Sequence, residues 1–279
     1  MLAFFQQQPK CLVALEACAT AHYWAREIRA CGHQVKLIPP QHIKSVDIKN
    51  IEQQDNQAQH KVRELAVRQR KSLLNQMRGL IAEYGISINK GVSHVRQALP
   101  VLQEDKEARL SPAFKKILSQ LTQQLTALDE CIDVYNKQIK VMVKNNPICQ
   151  RLQSIPGVGP MVASAYFNEV GSGSHYRKGR DVSASLGIVP KQYSSGGRDV
   201  LLGISKRGNK YLRCLLIQGA KAVVSRAKGK TDKLSLWINK LVLTQHNRAC
   251  VAYANKMAKI AWAITVSGEE YLLAYKVIK

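Results

Sequence analysis

Between Leu118 and Met142 an apolar residue recurs at every third or fourth position: Leu118, Leu121, Leu125, Leu128, Ile132, Tyr135, Ile139 and Met142, spaced 3-4-3-4-3-4-3. Such an alternation holds one stripe of a helix apolar over three heptads, and a stripe that long has to be buried against another helix. The partner is either the preceding helix or a second subunit, which would make a homo-oligomer; the pattern alone admits both. Ser111 and Pro112 supply an N-cap and first-turn pair for this helix, and Pro147 closes it. Upstream, from about Ile51 to Gly85, a second long helix sets Ala58, Val62, Leu65, Leu73, Met77, Leu80 and Tyr84 inward and Lys61, Arg63, Arg68, Arg70 and Lys71 outward. A loop is expected near Pro100. Residues 51–147 therefore read as a long-helix, coiled-coil module.

Residues 1–50 differ in character. "KCLVALEA" is an apolar run ending at Glu16, "AHYWAREIRACG" an amphipathic helix stopped by Gly32, and "HQVKLIPP" a second strand closed by two prolines. Together they predict one βαβ unit, which cannot bury both faces of its sheet alone.

Residues 148–279 predict a helical domain. "ICQRLQSIPGVGPMVASAYFNEVG" reads as helix, hairpin, helix about Ile155-Pro156-Gly157-Val158-Gly159. Gly157 and Gly159 would let backbone approach a phosphate, with the second helix turning its N-terminal amides to the anion. The other reading is a plain helical corner. From Tyr176 to Lys228 twelve basic residues stand against only Asp181 and Asp199, a density that favours phosphate contacts over an ordinary solvated face. Within that stretch Arg177, Lys178, Arg198, Lys206, Arg207, Lys210 and Arg213 are the candidate DNA-binding residues. "YSSGGRD" in their midst is either a serine nucleophile on a tight turn or a surface turn and nothing more. The last helix, "NRACVAYANKMAKIAWAITVSGEEY", is small-residue rich and expected to pack the core; Asn255 and Lys256 could face DNA, but a structural duty is the favoured reading.

Composition bounds the function. With 42 Lys plus Arg, 19 Asp plus Glu and a formal charge of +23, the chain fits a binder of polyanions. No apolar run nears the roughly 18 residues of a membrane span, and no leader is apparent, so cytoplasmic residence is expected. Seven cysteines without a C-x-x-C pair suggest reduced, mostly buried thiols, and the histidines lack metal-ligand spacing.

"SIPGVGPMVASAYFNEVG", "LGIVPKQYSSGGRDVLLGISKRGNKYLRCLLIQGAKA" and "NRACVAYANKMAKIAWAI" together resemble the C-terminal domain of DEDD/serine-type insertion-sequence transposases. These are the "IS one-ten" group and its "IS eleven-eleven" branch, relatives of pilin-gene inverting recombinases. "IEQQDNQAQHKVRELAVRQRKSLLNQMRGLIAEYGI" resembles the family's linking helix. The resemblance implies a DNA transposase or recombinase whose serine before the paired glycines, here Ser195, forms a transient phosphoserine link. Arg198, Lys206 or Arg207 would stabilise the phosphate. It further implies localisation at the nucleoid, a structured RNA of the element as a partner, and an N-terminal RuvC-like, ribonuclease-H-type fold holding Mg2+ on four acids.

Glu16 matches the glutamate of that set. The first aspartate is expected further upstream than this chain begins, and the last pair in a loop that here shortens to "PPQHIKSVDIKNIEQQD", where Asp47 lacks a second aspartate a few residues away. The fold expected is thus mainly α, with a truncated α/β RuvC-like remnant, long coiled-coil helices and a helix-hairpin-helix. One carboxylate does not hold a Mg2+ pair. Two functions follow: a transposase impaired in catalysis, or a non-catalytic nucleic-acid-binding remnant of one.

Overall fold

The computed structural model describes residues 1–18, 20–38, 48–104, 109–195 and 198–271, and for 193–201 the backbone alone. Pro39, Pro40, Asp47, Gly196 and Gly197 lie outside the described residues. The chain is mainly helical, and it divides into two units, Met1–Gln57 with Lys140–Lys279, and Ala58–Ile139.

In the first unit a short helix α1 (Leu2–Gln7) precedes β1 (Leu12–Glu16), α2 (Ala21–Ala30) and β2 (Gln34–Ile38). The strands pair in parallel, Leu12 opposite Gln34 and Glu16 opposite Ile38. Gly32, at φ +92°, makes the turn out of α2. Alternation sets the faces. Val35 and Leu37 of β2 are buried with Ala21, Ala25 and Ile28 of α2, and Leu2, Phe5, Val13 and Leu15 pack on them. Leu12, Ala14 and Glu16 of β1 and Lys36 and Ile38 of β2 stay exposed on the other face, as expected of a sheet with one face covered.

Three helices build the second unit: most of α3 (Ile51–Ala82), α4 (Val92–Glu104) and most of α5 (Pro112–Asn145). Arg63 Nε donates to Asn136 Oδ1 at 2.6 Å and Arg70 Nη1 to Asp129 Oδ1 at 2.9 Å, so partners rise along α3 as they fall along α5, and the helices run antiparallel. The heptad stripe meets this partner within the chain. Leu118 and Leu125 are buried with Leu73, Leu74, Met77 and Ile81 of α3 and with Val95, Leu99 and Leu102 of α4. Ser111 Oγ accepts from Phe114 N at 3.2 Å, the expected cap of α5.

Pro100, expected in a loop, lies inside α4. Proline removes one helical hydrogen bond there, but the buried face Val95, Leu99 and Leu102 carries the helix past it.

The C-terminal part of the first unit comprises α6 (Pro147–Leu152), α7 (Pro160–Val170), α8 (Gly179–Ser185), a hairpin of β3 (Pro190–Ser195) and β4 (Arg198–Ile204), α9 (Lys210–Val224), α10 (Lys233–Val242) and α11 (His246–Ser267). Small residues on α11, Ala249, Ala254, Ala258 and Ala261, are buried and let its neighbours close in. A Cβ on Gly179 of α8 would stand 3.0 Å from Lys259 Cα. Tyr253 OH donates to Pro156 O at 2.7 Å and Tyr166 OH to Ala258 O at 3.1 Å; burial raises the pKa of both phenols, so both stay protonated donors. Asn255 Nδ2 donates to Ile188 O at 3.1 Å and Lys256 lies 4.6 Å over Trp237, the structural duty expected of them.

The cysteines depart from the mostly buried pattern expected: Cys11, Cys18 and Cys214 are exposed, while Cys149 and Cys250 are buried. Burial, with Glu52 adding to it, pushes the Cys149 thiol up to about 12.

Candidate nucleic-acid interface

Two turns far apart in sequence build the basic surface by clasping each other. The turn after α8 and the turn between β4 and α9 are tied by Ser205 N donating to Val189 O at 2.8 Å and Lys206 N donating to Gly187 O at 3.1 Å. Each turn needs its glycine. Gly187 has φ +67° and a Cβ there would sit 2.1 Å from Arg207 O; Gly208 has φ +77° and its Cβ would sit 1.7 Å from Ser185 O. Lys206 itself adopts φ +56°, a left-handed conformation that costs a non-glycine residue about 1–2 kcal/mol. Neighbouring backbone holds it there, and the side chains of Lys206 and Arg207 project to solvent.

Arg213 is a correction to its expected place among the phosphate contacts. It is only 7% exposed, and its Nη1 donates to Leu186 O and Arg207 O, each at 2.9 Å. A guanidinium with two carbonyl partners inside the clasp braces the turn that presents Lys206 and Arg207. Asn209 extends the brace. Its Oδ1 caps α9 by accepting from Leu212 N at 3.0 Å, while its Nδ2 donates to Glu169 Oε2 on α7 at 2.7 Å. Lys210, next along, is exposed, as are Arg177 and Lys178 before α8.

The "YSSGGRD" stretch belongs to an antiparallel hairpin. Ser195 ends β3 opposite Arg198, Ser194 pairs with Asp199 and Tyr193 with Val200, and an irregularity falls between Pro190 and Gln192. At the base of this hairpin is a cleft of about 470 Å³ lined by Ala184, Val189, Lys191, Gln192, Leu202, Ser205 and Arg207.

The two glycines of the α6–α7 corner have different surroundings. Gly157, at φ +86°, faces α9: a Cβ there would stand 2.7 Å from Gly219 O and 2.9 Å from Val223 Cγ2, and one on Gly219 would stand 2.2 Å from Gly157 O. The close backbone approach at Gly157 is therefore to Gly219. Gly159, the N-cap of α7, is exposed, and a Cβ there meets nothing within 4 Å.

Glu16 stands at the exposed end of β1, a strand in contact with β2 and α2. Among those residues no three His, Cys, Asp or Glu side chains gather where a metal could sit.

Residues 149–235, which include the helical corner, the clasp and the serine hairpin, match the model of the transposase IS116/IS110/IS902 family. A Coxiella burnetii transposase for insertion sequence element IS1111A is 40% identical over 286 residues, covering 93% of this chain and 79% of its own. The chain belongs to the IS110/IS116/IS902 transposase family. A probable family 20 transposase of Pseudomonas aeruginosa is 39% identical over 94% of this chain and 86% of its own, and a Yersinia enterocolitica transposase for element IS1328 is 36% identical over 95% and 86%. The 286-residue alignment exceeds the 279 residues of this chain while taking in 93% of it, so the Coxiella relative carries internal residues without a counterpart here.

In this transposase-family chain the residues that sequence reasoning missed are those that shape the surface: Gly187 and Gly208, Arg213 as their brace, and the Asn209–Glu169 link. "GN" before "KYLR" was a usable sign of a glycine turn followed by an Asn N-cap. Nothing local announces that Gly208 meets Ser185.

Proposed function

We propose that this member of the transposase family binds the DNA of its insertion sequence through the exposed cations of the clasp and transfers strands through Ser195. The observation that carries the reading is the hairpin itself: Ser195 lies opposite Arg198 on a ribbon whose base is fixed to the clasp bearing Lys206 and Arg207. Ser195 Oγ would attack a phosphorus, the bond from that phosphorus to the strand oxygen would break, that oxygen would take up the proton the serine hydroxyl gives up, and Arg198, Lys206 and Arg207 would neutralise the charge that builds on the phosphate. Arg177, Lys178 and Lys210 would hold flanking phosphates, and Gly159 with the amides opening α7 another, as in a helix-hairpin-helix. Such a protein works at the nucleoid, and the same charge can take a structured RNA of the element. Any homo-oligomer would have to use a surface other than the α5 seam, whose buried leucines pack within the chain.

We also propose that this copy is impaired in catalysis, its β1–α2–β2 unit being a RuvC-like remnant and Glu16 its one matched acid. Supporting this are the internal residues that the Coxiella relative has in addition. That same observation favours the second reading, a DNA-binding remnant without chemistry. The two are separated with a chimera carrying residues 148–279 behind the N-terminal part of the Coxiella relative. Strand joining should appear in the chimera, vanish in Ser195→Ala and persist in Ser194→Ala, with DNA affinity within about tenfold throughout, since one neutral hydroxyl contributes about 0.5–1.5 kcal/mol. Joining that survives Ser195→Ala would exclude the serine mechanism.

A further inference from the structure

The cleft at the hairpin base has a mixed character that the phosphate contacts leave unexplained. Ala184, Val189 and Leu202 give it an apolar lining, with Leu202 51% exposed, and Lys191 and Arg207 complete that lining with two cations. Its volume of about 470 Å³ falls among small-ligand sites, which run from about 300 to 1,000 Å³. A partly apolar slot whose lining includes two cations, on a chain of charge +23, suits a planar uncharged group carried on a phosphate backbone.

We propose that this cleft receives the base of one unpaired nucleotide in the DNA strand addressed by Ser195. This inference rests on the proposed role of that serine. Along β3, Gln192 of the cleft is three residues from Ser195, roughly 10 Å of extended chain. On β4, Leu202 directly follows the register pair Gln192–Leu201, and three pairs further along Arg198 is the register partner of Ser195. A stacked strand advances about 3.4 Å per nucleotide, so the held base lies within about three nucleotides of the attacked phosphate. Taking that base out of the stack would fix the strand's register against the hairpin, and it favours ends that are mismatched or already single-stranded, where unstacking costs least. The apolar wall accepts any base face, so the cleft positions the strand without reading its sequence.

The test uses the full chain and two strands of equal phosphate number: a twelve-residue oligothymidylate and the same strand lacking its bases. Fluorescence anisotropy should give at least about fivefold tighter binding of the base-bearing strand, the effect of one stacked base. Leu202→Ser, which removes part of the wall, and Ala184→Leu, which narrows the slot, should each erase that preference and leave the abasic strand's affinity unchanged. Both positions are exposed, so both variants should fold, as checked by circular dichroism. Preference retained in both variants would overturn the proposal. If the parent protein binds both strands equally, with steep salt dependence, the cleft proposal falls and the DNA-binding reading stands; if it binds neither, both fall. A preference seen only with oligouridylate RNA would also overturn it.

Discussion

Gly157→Ala and Gly159→Ala separate structure from binding at the α6–α7 corner. The two glycines look equivalent in the sequence. At Gly157 a methyl group has to be held at φ +86°, costing about 1–2 kcal/mol. It also meets Gly219 O at 2.7 Å and Val223 Cγ2 at 2.9 Å. The first of these neighbours is backbone and cannot swing away, so an overpacking cost of about 1–3 kcal/mol adds to the strain. The total, about 2–5 kcal/mol, is a large fraction of the roughly 5–15 kcal/mol stability typical of a folded protein. At Gly159 the added methyl meets open space with φ −94°, an ordinary conformation, and only a weaker N-cap results, at a cost below about 1 kcal/mol. Urea unfolding followed by circular dichroism should therefore show a clear drop in midpoint for Gly157→Ala and little change for Gly159→Ala. DNA affinity, measured below the unfolding transition, should fall for Gly159→Ala if the α7 amides hold a phosphate. A stable Gly157→Ala would refute the packing of the corner on α9.

Three further outcomes are expected. The double variant Lys206→Ala/Arg207→Ala should lower the slope of log K against log salt by up to about 0.9 for each duplex phosphate that the two cations neutralise, whereas an unchanged slope returns both residues to a solvated face. Leu125→Asp should cost several kcal/mol by burying a charge in the α3–α4–α5 core, read as a missing or shifted unfolding transition; an unchanged midpoint would mean that Leu125 is not buried. Burial, and then Arg63, pushes the His60 imidazole down to about 4, so the unfolded chain binds a proton near pH 6.5 that the folded chain refuses until about pH 4. Stability should thus fall by up to about 3 kcal/mol as pH drops through that window, and His60→Gln should flatten the dependence; identical pH profiles would contradict it.

Where local periodicity carried the information, the sequence was legible. The alternation of β1 and β2 around an amphipathic α2, the stripe of α5 with its Ser111 cap, and the small-residue α11 all appear where the residues put them. Pro100 misled because a proline's local effect was outweighed by tertiary burial of Leu99 and Leu102. The β3–β4 hairpin read only as a turn, since Tyr-Ser-Ser and Arg-Asp lack strand patterning. The Gly-Gly pair between them, two residues long, was the available hairpin signal. Arg213 could not have been assigned from its neighbours in sequence: it counts as one more cation until Leu186, 27 residues away, is seen to claim it.

Transfer through Ser195 is tested most directly by locating the covalent link. DNA carrying the element's ends, incubated with the chimera that carries the N-terminal part of the Coxiella relative and then digested with protease and nuclease, should yield one phosphorylated peptide. Mass spectrometric fragmentation should place the phosphate on Ser195, next to Gly196. A phosphate on Ser194 would shift the motif by one residue, and a link to any other residue, or none in a chimera that joins strands, would contradict the account.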